Sequence, residues 1–140
     1  MADSDFASPT ATLRVRIEEN MVFIRVAGSM TLADFMALSE IYQQLRRERG
    51  RFFALFDATR MDGIDREARR ALGNKKQLTD ILPAVTAIFG ASFAVRTIGN
   101  MIDRARTGLG RTTTVRRFFD TEAQARAYIA QERARLVNTR

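Results

Sequence analysis

Three strand-forming runs, Phe52–Phe56, Ala84–Phe89 and Val115–Phe119, are each followed by a segment whose apolar residues recur at helical spacing, and this alternation constrains the fold more than any other feature. Phe52-Phe53-Ala54-Leu55-Phe56 carries no polar position, as expected of a strand covered on both faces. A strand, a helix and a further strand in one sheet require a crossover, almost always right-handed, so the sheet is predicted to be largely parallel. Pro83 is tolerated because it precedes its run and leaves the ladder intact, and Gly90 closes that run.

Ahead of these runs, Leu13, Val15 and Ile17 alternate with Arg14, Arg16 and Glu18, and Met21–Ala27 is rich in strand formers, which reads as a β-hairpin ended by Gly28-Ser29. Thr31, three residues before Asp34, is an acidic variant of the capping box. The helix it opens places Leu32, Phe35, Met36, Leu38, Tyr42 and Leu45 near one stripe and stops at Gly50. After a turn through Met61-Asp62-Gly63, a second helix is marked by Ala68, Ala71, Leu72 and Leu78, with Asp62 or Asp65 as its cap. Ser92 caps a third, with a stripe of Ala94, Ile98, Met101, Ile102 and Ala105 and an end at Gly108-Leu109-Gly110. Asp120 and a capping box from Thr121 to Gln124 open the last helix, marked by Ala125, Ile129 and Leu136. The predicted order is ββαβαβαβα, an α/β sandwich with helices on a mixed, mostly parallel sheet. One domain is expected over residues 12–138, while residues 1–11, aperiodic and mixing Asp, Ser, Thr and Ala with Pro9, read as a disordered, unanchored tail.

The chain of 140 residues contains no cysteine and no histidine. That excludes a disulfide framework, thiolate catalysis and cysteine zinc sites, and it removes the commonest general base and metal ligand. No catalytic residue, cofactor or metal is assigned. The net charge of +7 favours attraction to anions in general: nucleic acid, acidic proteins or a phospholipid surface. The first residues, Met-Ala-Asp-Ser-Asp, lack the features of a secretory or mitochondrial leader, and no apolar run approaches the roughly 20 residues of a membrane span, so the expected location is the cytoplasm.

With that element order, Phe56-Asp57-Ala58-Thr59, the turn ending Gly63-Ile64-Asp65, Gly90-Ala91-Ser92-Phe93, and Arg117-Phe118-Phe119-Asp120-Thr121-Glu122 leading into an alanine-rich helix give residues 13–133 a likeness to a known family. The chain resembles the SpoIIAA-like branch of the STAS superfamily, whose domains typically end in this way. The resemblance implies a non-catalytic, regulatory module in which the loop after the third strand and the start of the next helix form a binding surface. It places Asp57, Thr59, Asp62, Asp65, Arg66, Gly90, Ser92 and Phe93 on that surface. STAS domains that antagonise anti-sigma factors carry a phosphorylatable Ser after an Asp at the start of this helix; here Asp65 is followed by Arg66, so the switch residue is missing. Some relatives resemble CRAL-TRIO lipid carriers, which implies an alternative, a binder of a lipid or other small amphiphile at the membrane surface.

Other candidate sites have plainer readings. Asp57, Asp62, Asp65 and Glu67 suit magnesium or phosphoryl chemistry by type, but carboxylates at strand ends and helix starts more often satisfy backbone N–H groups. Gly90-Ala91-Ser92-Phe93-Ala94 has the outline of a nucleophile elbow without its closing glycine, and no histidine exists to serve the serine. Phe35, Met36, Tyr42, Ile98, Met101 and Ile102 line an apolar ligand cavity if the first and third helices stand apart, and form plain core otherwise. Arginine clusters at 46–51, 66–70 and 104–117 suit phosphates or a solvated face, and nucleic acid ranks low because nearly every Phe lies in a strand or on an apolar stripe. The leading expectation is a partner protein, either another regulator or a second copy in a homodimer, with a lipid or anionic membrane as the alternative.

Overall fold

A computed structural model of the chain describes residues 6–74, 83–108 and 115–138. The hairpin pairs β1 (Leu13–Glu18) with β2 (Met21–Val26) in antiparallel register, Val15 opposite Ile24. A short β3 (Gly28–Met30) leads into α1 (Leu32–Arg49), then β4 (Phe53–Asp57), β5 (Met61–Ile64) and α2 (Arg66–Asn74). The chain continues through β6 (Val85–Phe89), α3 (Phe93–Gly108), β7 (Val115–Phe119) and α4 (Glu122–Asn138).

The main sheet has the order β1-β2-β4-β6-β7, with β2, β4, β6 and β7 parallel, and β3 pairs with β5 in a separate two-stranded ribbon. The fold is therefore mixed α/β with a mostly parallel sheet and four helices packed on it. β6 lies inside the sheet and all five of its residues are buried, which is what crossovers that cover both faces produce. One core lies under α1 and α3, built on Val22, Ile24, Ala54 and Ile88 with Phe35, Leu38 and Val95. The other lies under α4, where Ala125 and Ile129 meet Phe23, Phe53, Leu55 and Ala87. Successive residues of a strand face opposite ways, so β2, β4, β6 and β7 each feed both cores.

The caps follow the local sequence. Thr31 Oγ1 accepts the Asp34 N–H at 3.1 Å while the Asp34 carboxylate accepts the Thr31 N–H at 3.0 Å, and Gly50 N–H closes α1 on the Arg46 carbonyl at 3.0 Å. Thr121 and Gln124 exchange the same pair of bonds at the start of α4, each 3.2 Å long.

Four expectations require correction. Gly28–Met30 and Met61–Ile64 are strands that pair with each other, whereas the sequence reads as a hairpin end and a turn; each is too short to display a period. From Phe6 onward the supposed tail is tied down. Phe6 is buried edge-on against Phe23 with ring centroids 5.4 Å apart, Ala7 bridges Val15, and Thr10 Oγ1 donates to Asp34 at 2.5 Å. One aromatic and one hydroxyl suffice to anchor a segment whose composition is otherwise loop-like. On α1, Met36 is 52% exposed because Phe35, Leu38 and Leu45 define the buried line. On α3, Val95 and Gly99 are buried while Ala94 and Met101 face solvent, so the docked face is rotated by one residue. The cause is Gly99: a Cβ there would stand 3.3 Å from Phe118 Cζ, and the absence of a side chain lets α3 lie down on β7 along that line. The side chains of Leu72, Leu78, Ile102 and Ala105, and the Gly108-Leu109-Gly110 stop, lie outside the described residues.

Candidate functional site

α1 and α3 sit on the same face of the sheet, and between them and the strands lies a cavity of about 100 Å³. Its floor is fixed by the parallel register, which sets Phe56 beside Ile88, Ile88 beside Phe118, and Thr86 beside Arg116 on the face turned to the helices. Phe35, Leu38 and Tyr42 of α1 form one wall, and Val95 and Gly99 of α3 another. Met30, Met61 and Ile64 of the two-stranded ribbon close the end nearest the helix N-termini.

The lining is apolar apart from a few groups. Tyr42 leans on Phe52 with ring centroids 5.4 Å apart, and burial pushes its phenol up to about 12, with the Arg116 charge pulling the other way. Thr86 is a buried hydroxyl in an otherwise apolar strand. Neither the Tyr42 nor the Thr86 hydroxyl makes a hydrogen bond among the described residues, whereas the Ser39 hydroxyl, also on the wall, donates to the Phe35 carbonyl at 3.0 Å. Arg116 Nη1 lies 3.6 Å from where a Gly99 Cβ would stand, which brings its guanidinium beneath α3.

Of the residues the sequence placed in an apolar lining, Phe35 and Tyr42 are there. Met36 and Met101 are exposed, Ile98 is half-buried but off the cavity wall, and the side chain of Ile102 lies outside the described residues. Thr86, Ile88, Arg116 and Phe118 were missed. The one signal for them was an isolated Thr in a strand of Val, Ala, Ile and Phe.

The expected partner surface divides into tied and outward residues. Asp57 Oδ1 accepts from the Thr59 N–H at 3.0 Å and the Thr59 hydroxyl at 2.6 Å, and Oδ2 pairs with Arg25 Nε at 3.3 Å. Gly90 has a φ of +74°, and a Cβ there would fall 2.2 Å from Thr59 Cγ2, so the loops after β4 and β6 interlock at a point where only glycine fits. Ser92 caps α3, its hydroxyl accepting the Val95 N–H at 3.2 Å and its carbonyl the Arg96 N–H at 3.0 Å. That serine is consumed in capping. Asp65 opens α2 through its backbone, donating to the Met30 carbonyl at 2.8 Å and accepting from Arg69 at 2.9 Å. The side chains of Asp62, Asp65 and Arg66 are exposed, Asp62 taking a hydrogen bond from Ser29 at 3.0 Å. Phe93, the first residue of α3, is 86% exposed. Because α3 packs against β5, Phe93 and this charged group belong to neighbouring elements. Among the described residues no three acidic side chains converge as a metal site would require, and no helix is long and apolar enough to cross a membrane.

No protein-family model matches the sequence, and no curated protein matches it. Solved structures do match. The chain is similar to an uncharacterised DUF3478-family protein with a SpoIIAA-like fold from Shewanella loihica PV-4, at 15% identity and a TM-score of 0.53 over 83% of this chain and 90% of that one. It is also similar to the anti-sigma factor antagonist SpoIIAA in its unphosphorylated form, at 12% identity and a TM-score of 0.56 over 84% of this chain and 97% of that one. Identities this low carry architecture alone, and the architecture agrees over more than four fifths of this chain: it has a SpoIIAA-like fold.

Proposed function

We propose that this chain is a non-enzymatic STAS-type regulatory module that binds another protein through the exposed side chains of the β5–α2 turn and the start of α3. The observation that carries this reading is Phe93, a whole aromatic ring left 86% exposed at a helix start while Ser92 beside it is held in a cap. An exposed aromatic at the start of a helix that packs against β5 and α2, which carry Asp62 and Arg66, has the anatomy of an interface anchor with a polar rim. The fold points the same way, since one of its bearers is an anti-sigma factor antagonist. Arg66 stands where the resemblance puts the phosphorylated serine, so control of binding runs by another route than phosphorylation there. The test is affinity purification with mass spectrometry on the intact protein, Phe93→Asp and, as a control on another helix, Met36→Asp. Loss of a specific partner in Phe93→Asp alone is expected. A partner retained by Phe93→Asp rejects the surface, and no partner at all, with a small molecule co-purifying, rejects the reading.

A second reading, a carrier or sensor of a small amphiphile, is favoured by the cavity beneath α1 and α3, which joins apolar walls to two hydroxyls without hydrogen-bond partners among the described residues. Native mass spectrometry after incubation with candidate amphiphiles tests it, and a mass equal to the bare polypeptide throughout rejects it.

A further inference from the structure

The two outer strands of the main sheet are finished differently. On β1, Ala7 and Val15 exchange both backbone bonds, at 2.8 and 3.0 Å, and Phe6, buried on Phe23, anchors the segment that covers this edge. On β7, the Gly90 N–H donates to the Phe119 carbonyl at 3.1 Å, which turns the main-chain groups of Phe119 toward β6. Those groups point to alternate sides along a strand, so the N–H and C=O of Phe118 face the outer edge. Among the described residues nothing bonds to them there. An uncovered edge is a template for a further strand.

A groove runs along that edge at the Phe119 end of β7, and every residue lining it is described. Phe118 and Arg96 form its wall on the α3 face, and Phe119, Ala127 and Tyr128 form it on the α4 face. Phe119 and Tyr128 stack with ring centroids 5.3 Å apart. Arg96 is engaged: its guanidinium lies 5.6 Å from the Phe118 ring and pairs with Asp120 at 3.3 Å. Arg117 is exposed beside the groove, 5.7 Å from the Tyr128 ring, and forms no ion pair among the described residues. Glu132 feels its charge, but that carboxylate is held by Arg135 at 3.0 and 2.9 Å. The edge therefore offers backbone groups, an apolar step and one available positive charge.

We propose that β7 accepts an added strand from a partner protein, an extended segment with a carboxylate against Arg117 and, two residues along, an apolar side chain against Phe119 and Tyr128. Side chains of a strand alternate between faces, so a spacing of two puts both on the α4 side. Main-chain bonds to Phe118 supply affinity, and the two side chains supply specificity. The charge argues against a second copy as the occupant. Pairing β7 with itself about its centre sets Arg117 opposite Arg117, and like charges directly opposite destabilise a strand pair. Sliding the pair until Phe118 meets Phe118 sets Asp120 opposite Arg116. The Asp120 N–H is already taken by Gln124 Oε1 at 3.1 Å, where the chain turns into α4. This surface is separate from the one built on Phe93.

Titration of the intact protein with the end-capped peptide Ser-Thr-Glu-Thr-Ile-Thr-Ser, followed by NMR with hydrogen exchange read at the Phe118 amide, tests it. In the protein alone that amide should exchange freely, and with nine in ten molecules occupied it should slow about tenfold. A peptide with Lys in place of Glu should bind about tenfold more weakly, as the change from an opposite to a like cross-strand charge implies. N-methylation of alternate peptide nitrogens should abolish binding. Arg117→Glu should reverse the preference for Glu over Lys, while Phe93→Asp leaves it unchanged. Protection of the Phe118 amide in dilute free protein, equal affinity for the two peptides, undiminished binding of the N-methylated one, or no binding at all overturns the proposal. Protection that grows with protein concentration, together with a dimer in analytical ultracentrifugation, overturns it in favour of a second copy.

Discussion

Asp34 is the residue whose removal the structure prices most clearly. It is fully buried, at 0% exposure, and its carboxylate collects bonds from three parts of the chain. Thr10 Oγ1 donates at 2.5 Å, Thr12 Oγ1 reaches both oxygens at 2.9 and 2.8 Å, and the Thr31 N–H donates at 3.0 Å. Asp34→Ala loses its half of the capping box, about 1 kcal/mol. It also strands the Thr10 and Thr12 hydroxyls, which lose bonds to a charged group typically worth about 1.5–3 kcal/mol each. These hydroxyls lie 3.4 Å apart and can partly satisfy one another, and bonds to a shared acceptor do not add. The expected loss is about 3 kcal/mol, which lowers a urea midpoint by about 1.5 M for a slope near 2 kcal/mol per molar.

The same carboxylate fixes a pH signature. Burial pushes its pKa up, but the bonds from Thr10, the Thr31 backbone and Thr12 outweigh burial and hold it below the ordinary carboxylate range. A folded-state pKa below the unfolded one contributes stability above the unfolded value, about 3.9, and loses it as pH falls through the folded value. The gap between wild type and Asp34→Ala should therefore be at its full size at pH 7 and narrow as pH falls below about 3.9 toward the folded value. Urea titrations at pH 7 and pH 3 measure this. A loss under about 1 kcal/mol at pH 7, or a gap that does not narrow at all between pH 7 and pH 3, would refute the role given to the carboxylate.

Phe6→Ala, which removes the ring packed on Phe23, should destabilise by about 3 kcal/mol in chemical denaturation, and an unchanged midpoint would return residues 6–11 to the status of a tail. Gly90→Ala should cost about 2–4 kcal/mol, combining a left-handed backbone with the approach to Thr59 Cγ2; adding Thr59→Ser, which deletes that methyl, should recover part of the loss, and no recovery would show that the contact is irrelevant. Tyr42→Phe should leave the protein unchanged or up to about 1 kcal/mol more stable, since its hydroxyl has no hydrogen bond to lose among the described residues; a clear loss of thermal stability would reveal a partner for it.

Much of this fold is legible from local sequence. The capping boxes at Thr31 and Thr121, the cap at Ser92 and the strand over Val115–Phe119 each depend on residues within a few positions of one another, and each forms as written. What pairing over long range decides is not legible. The β3–β5 ribbon joins segments about 30 residues apart and too short to carry a period. Phe6 finds Phe23 only once the hairpin has turned. The outward half of the proposed partner surface was partly readable, because Asp57, Thr59, Gly90 and Ser92 sit where loops and caps consume their side chains, which leaves Asp62, Asp65, Arg66 and Phe93 to face out.

The cavity and the misread face of α3 share one cause. A stripe on a helical wheel counts apolar side chains, and by that count Ala94, Ile98 and Met101 should dock. A helix, however, settles where its profile is lowest, and on α3 that is the line of Val95 and Gly99. Docking there turns Met101 to solvent and sets a residue without a side chain over Phe118 and Arg116. The room a larger residue would fill is part of the cavity, and the same approach brings the Arg116 guanidinium under the helix. A side chain at position 99 should therefore act on both features together. Gly99→Ala forces Phe118 to give by a few tenths of an ångström, a modest strain, whereas Gly99→Leu must either fill the cavity or lift α3 off β7. If the cavity takes an amphiphile as proposed, loss of that binding in Gly99→Leu with the fold intact by circular dichroism would tie the cavity to the helix contact, and undiminished binding would separate them.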